Sequence, residues 1–218
     1  MSRLKDALFW IILFSMLCAG IYLVTKPQTH VYYIPHPDDE VLSFGADILN
    51  QASKGHKVIL VLLTMGEAVG SSEDKDIIAE ARQREFESAC QIMGVQWSYK
   101  HLPDAGVEVD SVKRIIAVYD KRYINAFHKT YDYEHDYHPD HLAAGQALLE
   151  SNVSNKIFFV APWNEVEGLT EIRTQHTDTW RNALRAYCVI CEGRYAIGYQ
   201  SVNEYFENQL REMVVFTR

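Results

Sequence analysis

Two short strings carry the side chains best suited to chemistry, Pro35-His36-Pro37-Asp38-Asp39-Glu40 and His138-Pro139-Asp140-His141. Each sets imidazole and carboxylate groups three residues apart, beside a proline that lowers the entropy cost of holding them. His36 and Asp39, three apart across a turn, can face one ion, and His141 supplies a third ligand. Two nitrogens and one oxygen leave coordination positions open, which separates a catalytic metal site from a closed structural one. Zinc suits such donors, as does Fe(II) or another divalent transition metal, because the affinity order alone does not select. Asp38, beside the ion without binding it, is placed to act as general base on an attacking water. His138 precedes Pro139, a residue favoured at the first helical position, and so stands at a helix mouth. There it can stabilise a developing oxyanion and protonate a leaving amine. Asp140 can orient an imidazole and hold its charge. The blander account is that nine histidines cluster by chance, or that His138 only caps a helix. Chance does not readily give both strings, each with its proline.

Stepping along the chain, Val31-Tyr32-Tyr33-Ile34 is a β-rich run leading into the first string. Residues Val41 to Ser53 read as a helix, with Leu42, Ala46 and Leu49 on one side and Gly55 beyond its end. Lys57 to Leu63 is a continuous apolar strand, the pattern of burial on both faces of a parallel sheet. Glu73 to Met93 returns to helical period and stops at Gly94. Trp97 to Leu102 predicts a third strand, Ser111 to Phe127 a helix, Tyr131 to Tyr133 a strand end, and Ile157 to Val160 a buried strand after the helix opened by Pro139. Strands alternating with helices of this length predict an α/β layered fold with a mostly parallel sheet flanked by helices. Ligands bind such sheets beyond the carboxyl ends of the strands, where both strings would lie.

The N-terminus differs from the rest. From Ala7 to Thr25 no residue is charged, and a helix of that length would run about 29 Å, close to a bilayer's hydrocarbon thickness. Trp10 and Tyr22 sit towards its ends, and the apolar run continues past Cys18-Ala19-Gly20, the one plausible cleavage point for a secretory signal. The expectation is therefore an N-terminal transmembrane helix: a membrane anchor and linker over 1–28, and one catalytic domain over 29–218. Arg3 and Lys5 before the span favour a single-pass membrane protein with the domain on the non-cytoplasmic side. The odd set Cys90, Cys188 and Cys191 pulls towards a reducing compartment. Lys26 to His30 would tether the domain close to the bilayer, within reach of a lipid-linked substrate. The net charge is −8; Arg3, Lys5 and Lys26 against Asp6 give the first 30 residues +2, so the remainder carries −10. An acidic domain repels nucleic acid, and no nucleic-acid partner is expected.

The string His-Pro-Asp-Asp-Glu after a first strand, with His-Pro-Asp-His a hundred residues later, resembles the LmbE-like family, the N-acetylglucosaminyl-phosphatidylinositol de-N-acetylases and related sugar deacetylases. The likeness runs over about Val31 to Tyr199. It includes the turn Thr64-Met65-Gly66-Glu67, the helix segment Ala81-Arg82-Gln83-Arg84-Glu85 with Gly94 beyond it, and the loop Leu102-Pro103-Asp104. The resemblance implies a Rossmann-like domain that removes acetyl from N-acetylglucosamine units of a glycan, glycolipid or glycoconjugate. It also implies metal ligands His36, Asp39 and His141, Asp38 as base with His138 opposite, and Arg82 and Asp104 touching sugar hydroxyls. Arg84 is equally close to the family position of Arg82. Pro35 stands where the family usually has alanine, and a single Gly45 where a glycine pair is common; neither change removes a ligand.

Other features carry less. Cys188 and Cys191 resemble a redox pair, but Trp180, Leu184, Tyr187, Cys188 and Cys191 lie at helical spacing before Gly193, the pattern of a core face. His135 and Asp136 are loop residues shaping a pocket mouth, or extra ligands. Glu67 reads as part of a solvated turn. Tyr131, Tyr133, Tyr137 and Trp163 offer surfaces on which a sugar could stack. The competing functions are hydrolysis of a different amide at the same metal and sugar binding without catalysis; the presence of Asp38, Asp39, His138 and His141 argues against the second.

Overall fold

The computed structural model describes residues 10–16, 26–68, 75–188 and 197–218. Among the described residues seven strands form one sheet: β1 (Thr29–Ile34), β2 (Lys57–Leu62), β3 (Gln96–Tyr99), β4 (Phe127–Tyr131), β5 (Asn155–Val160), β6 (Thr170–Ile172) and β7 (Val215–Thr217), in spatial order β3-β2-β1-β4-β5-β7-β6. The first five run parallel, while β7 is antiparallel to both β5 and β6. The helices are α1 (residues 10–16), α2 (Asp39–Leu42), α3 (Gly45–Ser53), α4 (Lys75–Met93), α5 (Val109–Arg122), α6 (Pro139–Glu150), α7 (Thr177–Ala186) and α8 (Ile197–Glu212). Alternate residues of β1 and β2 feed two cores. Tyr32, Ile34 and Leu60 pack with Phe44, Phe86 and Trp180 on one face, and Val31, Tyr33 and Val61 with Ile116 and Leu148 on the other. Burial on both faces is why these strands read as unbroken apolar runs.

The expectation of a transmembrane helix over 7–25 is corrected, and with it the single-pass membrane localisation and the membrane as a partner. Within that stretch the described residues 10–16 are helical. Among the described residues no helix is long and apolar enough to cross a membrane. Residues 7–9 and 17–25 of the expected span lie outside the described residues.

Other boundaries shift for local reasons. The helix expected over 41–53 is two helices. Leu42 ends α2, and Gly45 opens α3 where a Cβ would fall 2.2 Å from Nε1 of Trp180. That approach lets the indole donate to the carbonyl of Val41 at 2.7 Å. The helix expected to reach Phe127 stops at Arg122, because Asn125 takes a positive φ of 61° and Phe127 already pairs in β4. The helix expected through Cys191 ends at Ala186; Trp180, Leu184 and Tyr187 are buried, and Cys191 lies outside the described residues. Burial raises the Cys188 thiol to about 11, so it is protonated at neutral pH.

The sheet order places a switch between β1, whose chain continues outward through β2 and β3, and β4, which starts the opposite half. Crevices form at such points beyond the carboxyl ends of the strands. The segments leaving β1 and β4 are the two motif-bearing stretches. Helix α6 is drawn tightly over the end of β4 at Gly145, where a Cβ would lie 2.8 Å from the Tyr131 carbonyl oxygen and the Tyr133 backbone. His141, one turn before Gly145 on the same helix face, is thereby carried to the crevice.

At the other end of the strands, Lys129 of β4 is 1% exposed and its ammonium lies 2.5 Å from Asp47 Oδ2, which also accepts from the Tyr32 hydroxyl at 2.7 Å. Burial disfavours the Asp47 charge, but Lys129 outweighs it and holds the carboxyl below its usual range. Lys129→Met should cost about 3–5 kcal/mol by leaving Asp47 charged and unpaired, and a second change, Asp47→Leu, should recover much of it. Urea unfolding of the two variants checks this; a double variant no better than the single one contradicts it.

Candidate metal centre

Three acceptor atoms meet at the crevice. His36 Nδ1 lies 3.2 Å from His141 Nε2 and 3.3 Å from Asp39 Oδ2, and His141 Nε2 lies 3.4 Å from the same Asp39 oxygen. All three side chains are buried. A tetrahedral ion with bonds of about 2.0–2.1 Å has donor-to-donor edges of about 3.3 Å, so this triangle is one face of such a tetrahedron. One nitrogen each of His36, His138 and His141 also fall within 4.8 Å of one another. The group could therefore hold a small divalent transition metal.

Outer partners settle which atom of each side chain faces inward. His36 Nε2 lies 3.2 Å from both Asp104 Oδ1 and Asp140 Oδ2, so it carries the ring proton and leaves Nδ1 as the lone-pair donor. His141 Nδ1 donates to Asp136 Oδ2 at 3.0 Å, freeing Nε2. The Tyr131 hydroxyl donates to Asp39 Oδ1 at 2.6 Å, its oxygen lies 2.7 Å from that of Ser43, and its ring stacks on His141 with centroids 3.9 Å apart. Burial opposes a charge on His36, yet its bonds to Asp104, Asp140 and Asp39 outweigh it and raise its pKa well above the ordinary value. In His141 burial is likewise outweighed, by Asp39 and Asp136, and the pKa rises to about 9.

Asp38 stands beside the triangle in a strained backbone conformation, φ 111°, which a non-glycine residue holds only under surrounding constraint. Its amide donates to Glu40 Oε2 at 3.1 Å, and Arg82 donates to its Oδ2 at 2.8 Å and to the Pro37 carbonyl. Arg82 reaches that position because Gly66, at φ 64°, has no Cβ; one would lie 2.4 Å from the Arg82 Nη1. The same Nη1 donates to the Gly66 carbonyl at 3.1 Å. Burial raises Asp38 to about 7 against the pull of Arg82. Glu40 is fully buried, accepts from the Tyr187 hydroxyl at 2.5 Å, and is pushed by burial to about 8.

His138 is exposed at the mouth and caps α6, its Nδ1 accepting from the Asp140 amide at 3.2 Å. The ring proton is then on Nε2. Burial and the neighbouring His36 and His141 keep its pKa below the ordinary histidine value, so the neutral ring is a hydrogen-bond donor at pH 7. Asp140 is buried, and its two oxygens accept from the amides of Ala105 and Val107, at 2.8 and 3.0 Å, as well as facing His36. Asp104 accepts from the Ala68 amide at 2.6 Å.

The three candidate ligands, together with Asp38, Arg82, Asp104 and His138, line a cavity of about 470 Å³, shared with Tyr137, Trp163, Val202 and Tyr205. Arg84 points away, half-exposed and paired with Glu80. Glu67 braces the loop by accepting from the Asp104 amide at 3.3 Å. Tyr131 is fully buried and offers no sugar-stacking face, and Tyr133 packs edge-on to Phe158. Asp136, expected to shape the mouth or ligate, lines the cavity and also holds His141. Three residues play parts the sequence reading did not give them: Tyr131, expected only as a stacking surface, braces Asp39, while Glu40 and Tyr187 brace Asp38. A tyrosine closing a strand that leads to a ligand histidine is the one signal that pointed towards the first of these.

A family model described as PIG-L, GlcNAc-PI de-N-acetylase, matches residues 31–152, more than half of the chain. The chain belongs to that family. The PIG-L segment runs from β1 through α6 and so contains both motif strings. A probable N-acetyl-α-D-glucosaminyl L-malate deacetylase 2 of Bacillus cereus is 29% identical over 139 residues, 57% of this chain and 61% of that protein. A 1D-myo-inositol 2-acetamido-2-deoxy-α-D-glucopyranoside deacetylase of Thermomonospora curvata is 29% identical over 147 residues, 53% of this chain and 49% of that protein. The chain thus spans about half the length of the curated relatives it matches. In fold it is similar to the N,N'-diacetylchitobiose deacetylase of Pyrococcus horikoshii, with TM-score 0.66 and 18% identity over 88% of this chain and 84% of that one.

Asp136→Asn should weaken metal binding by about 10–100-fold while leaving the fold intact, since it releases His141 from its orienting partner. Calorimetric titration with Zn2+ measures this; unchanged affinity would remove Asp136 from the support of the centre.

Proposed function

We propose that this chain is a metal-dependent N-deacetylase that hydrolyses the acetamide of an N-acetylglucosamine-containing substrate, releasing acetate and a free amine. The observation that carries the reading is the triangle His36 Nδ1, Asp39 Oδ2 and His141 Nε2, with the carboxylate of Asp38 beside it. Zn2+ is the preferred ion for two imidazoles and a carboxylate at tetrahedral spacing, and Fe2+ is the nearest alternative. When bound, such an ion polarises the acetamide carbonyl and lowers the pKa of a water to about 7, making a nucleophile available at neutral pH.

The chain's own groups do the rest. Asp38 takes a proton from the attacking water, and its pKa of about 7 suits it to accept and later release that proton near neutrality. Arg82 keeps the carboxylate aimed and limits its rise. His138 donates a hydrogen bond from Nε2 to the carbonyl oxygen as negative charge develops there, and the proton that Asp38 took from the water passes to the amine nitrogen as the carbon–nitrogen bond breaks. Asp140 and Asp104 hold the His36 ring in its inward orientation. Arg82 and Asp104 were expected to touch sugar hydroxyls; both line the cavity, and their bonded partners favour positioning of Asp38 and His36 as their main work. The names of the two sequence relatives and of the structural relative, all deacetylases of acetylated amino sugars or their glycosides, agree with this substrate class.

Asp38→Asn should bind Zn2+ with nearly unchanged affinity and lose most acetate release, and His138→Ala should lower kcat by about 10²–10³. Acetate release from N-acetylglucosamine conjugates, with and without chelator, tests the whole reading. Chelator-insensitive release, or near-normal turnover by the Asp38 variant, would overturn it.

A further inference from the structure

A second cavity of about 390 Å³ adjoins the first. Leu42, Trp163 and Tyr205 line both, so the two chambers meet along a wall of these three side chains. Trp163 and Tyr205 stack with centroids 4.1 Å apart and planes 8° apart, making that wall a rigid aromatic slab. Pro162 and Phe216 give the far chamber apolar surface, and Glu171, Arg173, Asn208 and Glu212 give it polar surface.

The charges in the two chambers are already committed. Arg173 pairs with Glu171 at 3.2 Å and donates to the Glu212 carbonyl at 3.0 Å, and Arg82 pairs with Asp38 at 2.8 Å. Among the described lining residues these are the arginines and lysines, and carboxylates outnumber them. A phosphate or carboxylate on the substrate would therefore meet paired cations and surplus negative charge. A neutral polyol meets what it needs, aromatic faces for its C–H surface and carboxylate and amide groups for its hydroxyls. Apart from Leu42, every residue of the chamber lies beyond residues 31–152, the segment that the family model matches.

We infer that the far chamber is an aglycone subsite for a neutral, polyhydroxylated group, such as a second sugar, joined to the N-acetylglucosamine whose acetamide reaches the metal centre. This rests on the deacetylase reading above. The test compares kcat/KM for acetate release by the Zn2+-loaded full chain from N-acetylglucosamine, N,N'-diacetylchitobiose and N-acetylglucosaminyl malate. The neutral disaccharide should exceed both others by about tenfold or more, a step of about 1.4 kcal/mol. Trp163→Ala, which removes the slab, and Asn208→Trp, which fills the chamber, should each bring the disaccharide-to-monosaccharide ratio towards one. Equal use of monosaccharide and disaccharide, or preference for the malate glycoside, overturns the inference while leaving the deacetylase reading in place. If none of the three releases acetate, the deacetylase reading fails, and titration of tryptophan fluorescence with chitobiose still decides the subsite. A saturable change that Trp163→Phe abolishes supports it, and no change overturns it.

Discussion

Three acceptor atoms from distant parts of the chain, His36 Nδ1, Asp39 Oδ2 and His141 Nε2, are held within 3.4 Å of one another in a buried crevice. Lone pairs at that spacing repel unless protons or a cation lie between them, so the surrounding structure must hold them there against their own electrostatics. It does so with a ring of outer bonds. Asp136, Asp140, Asp104 and Tyr131 each take the far atom of a ligand side chain and leave only one atom able to face inward. Four carboxylates near two imidazoles also make this crevice favour positive charge, which either a proton on each ring or a cation between them supplies.

The first string is under strain at the point where chemistry would occur. Asp38 sits at φ 111°, and the residues that maintain this come from four directions: Glu40 on its amide, Arg82 on its carboxylate, Gly66 beneath Arg82, and Tyr187 on Glu40. Each link is buried, and Glu40 is protonated up to about pH 8, so the brace adds no further charge beside Asp38 near neutrality. A strained residue held by neutral or paired groups is a pre-organised one: the cost of its orientation is met on folding rather than during reaction.

How much of this could be read from the sequence differs by element. The strands β1 and β2 and the strings that follow them were legible because burial on both faces leaves an unbroken apolar run, and because imidazole and carboxylate at three-residue spacing beside proline has few other uses. The outer partners were not legible: Asp136 is five residues from His141, and Tyr131 reaches Asp39 across 92 residues, a proximity only the β1–β4 pairing creates. The strands β6 and β7 are three residues each, too short to show alternation, and α8 is bent at Val202, where φ is −142°, so its periodicity breaks mid-helix. At the N-terminus the uncharged run 7–25 satisfied a length rule, yet among the described residues no helix is long and apolar enough to cross a membrane.

The late elements of the chain tie the cavity wall to the metal loop. Helix α2 is a single turn, and the carbonyls at its end have no helical partners. Trp180 of α7 donates to the Val41 carbonyl at 2.7 Å, and Gln209 of α8 donates to those of Leu42 and Val214, both at 2.8 Å. The turn bearing Asp39 is thus hung from α7 and α8, while α8 also carries Val202 and Tyr205 into the cavity wall. A group that packs against Tyr205 presses on the same helix that anchors the end of α2. The metal-facing residues of 31–152 and the cavity wall beyond them therefore share one mechanical joint, so a substitution in that wall that slackens α8 also loosens the turn bearing Asp39.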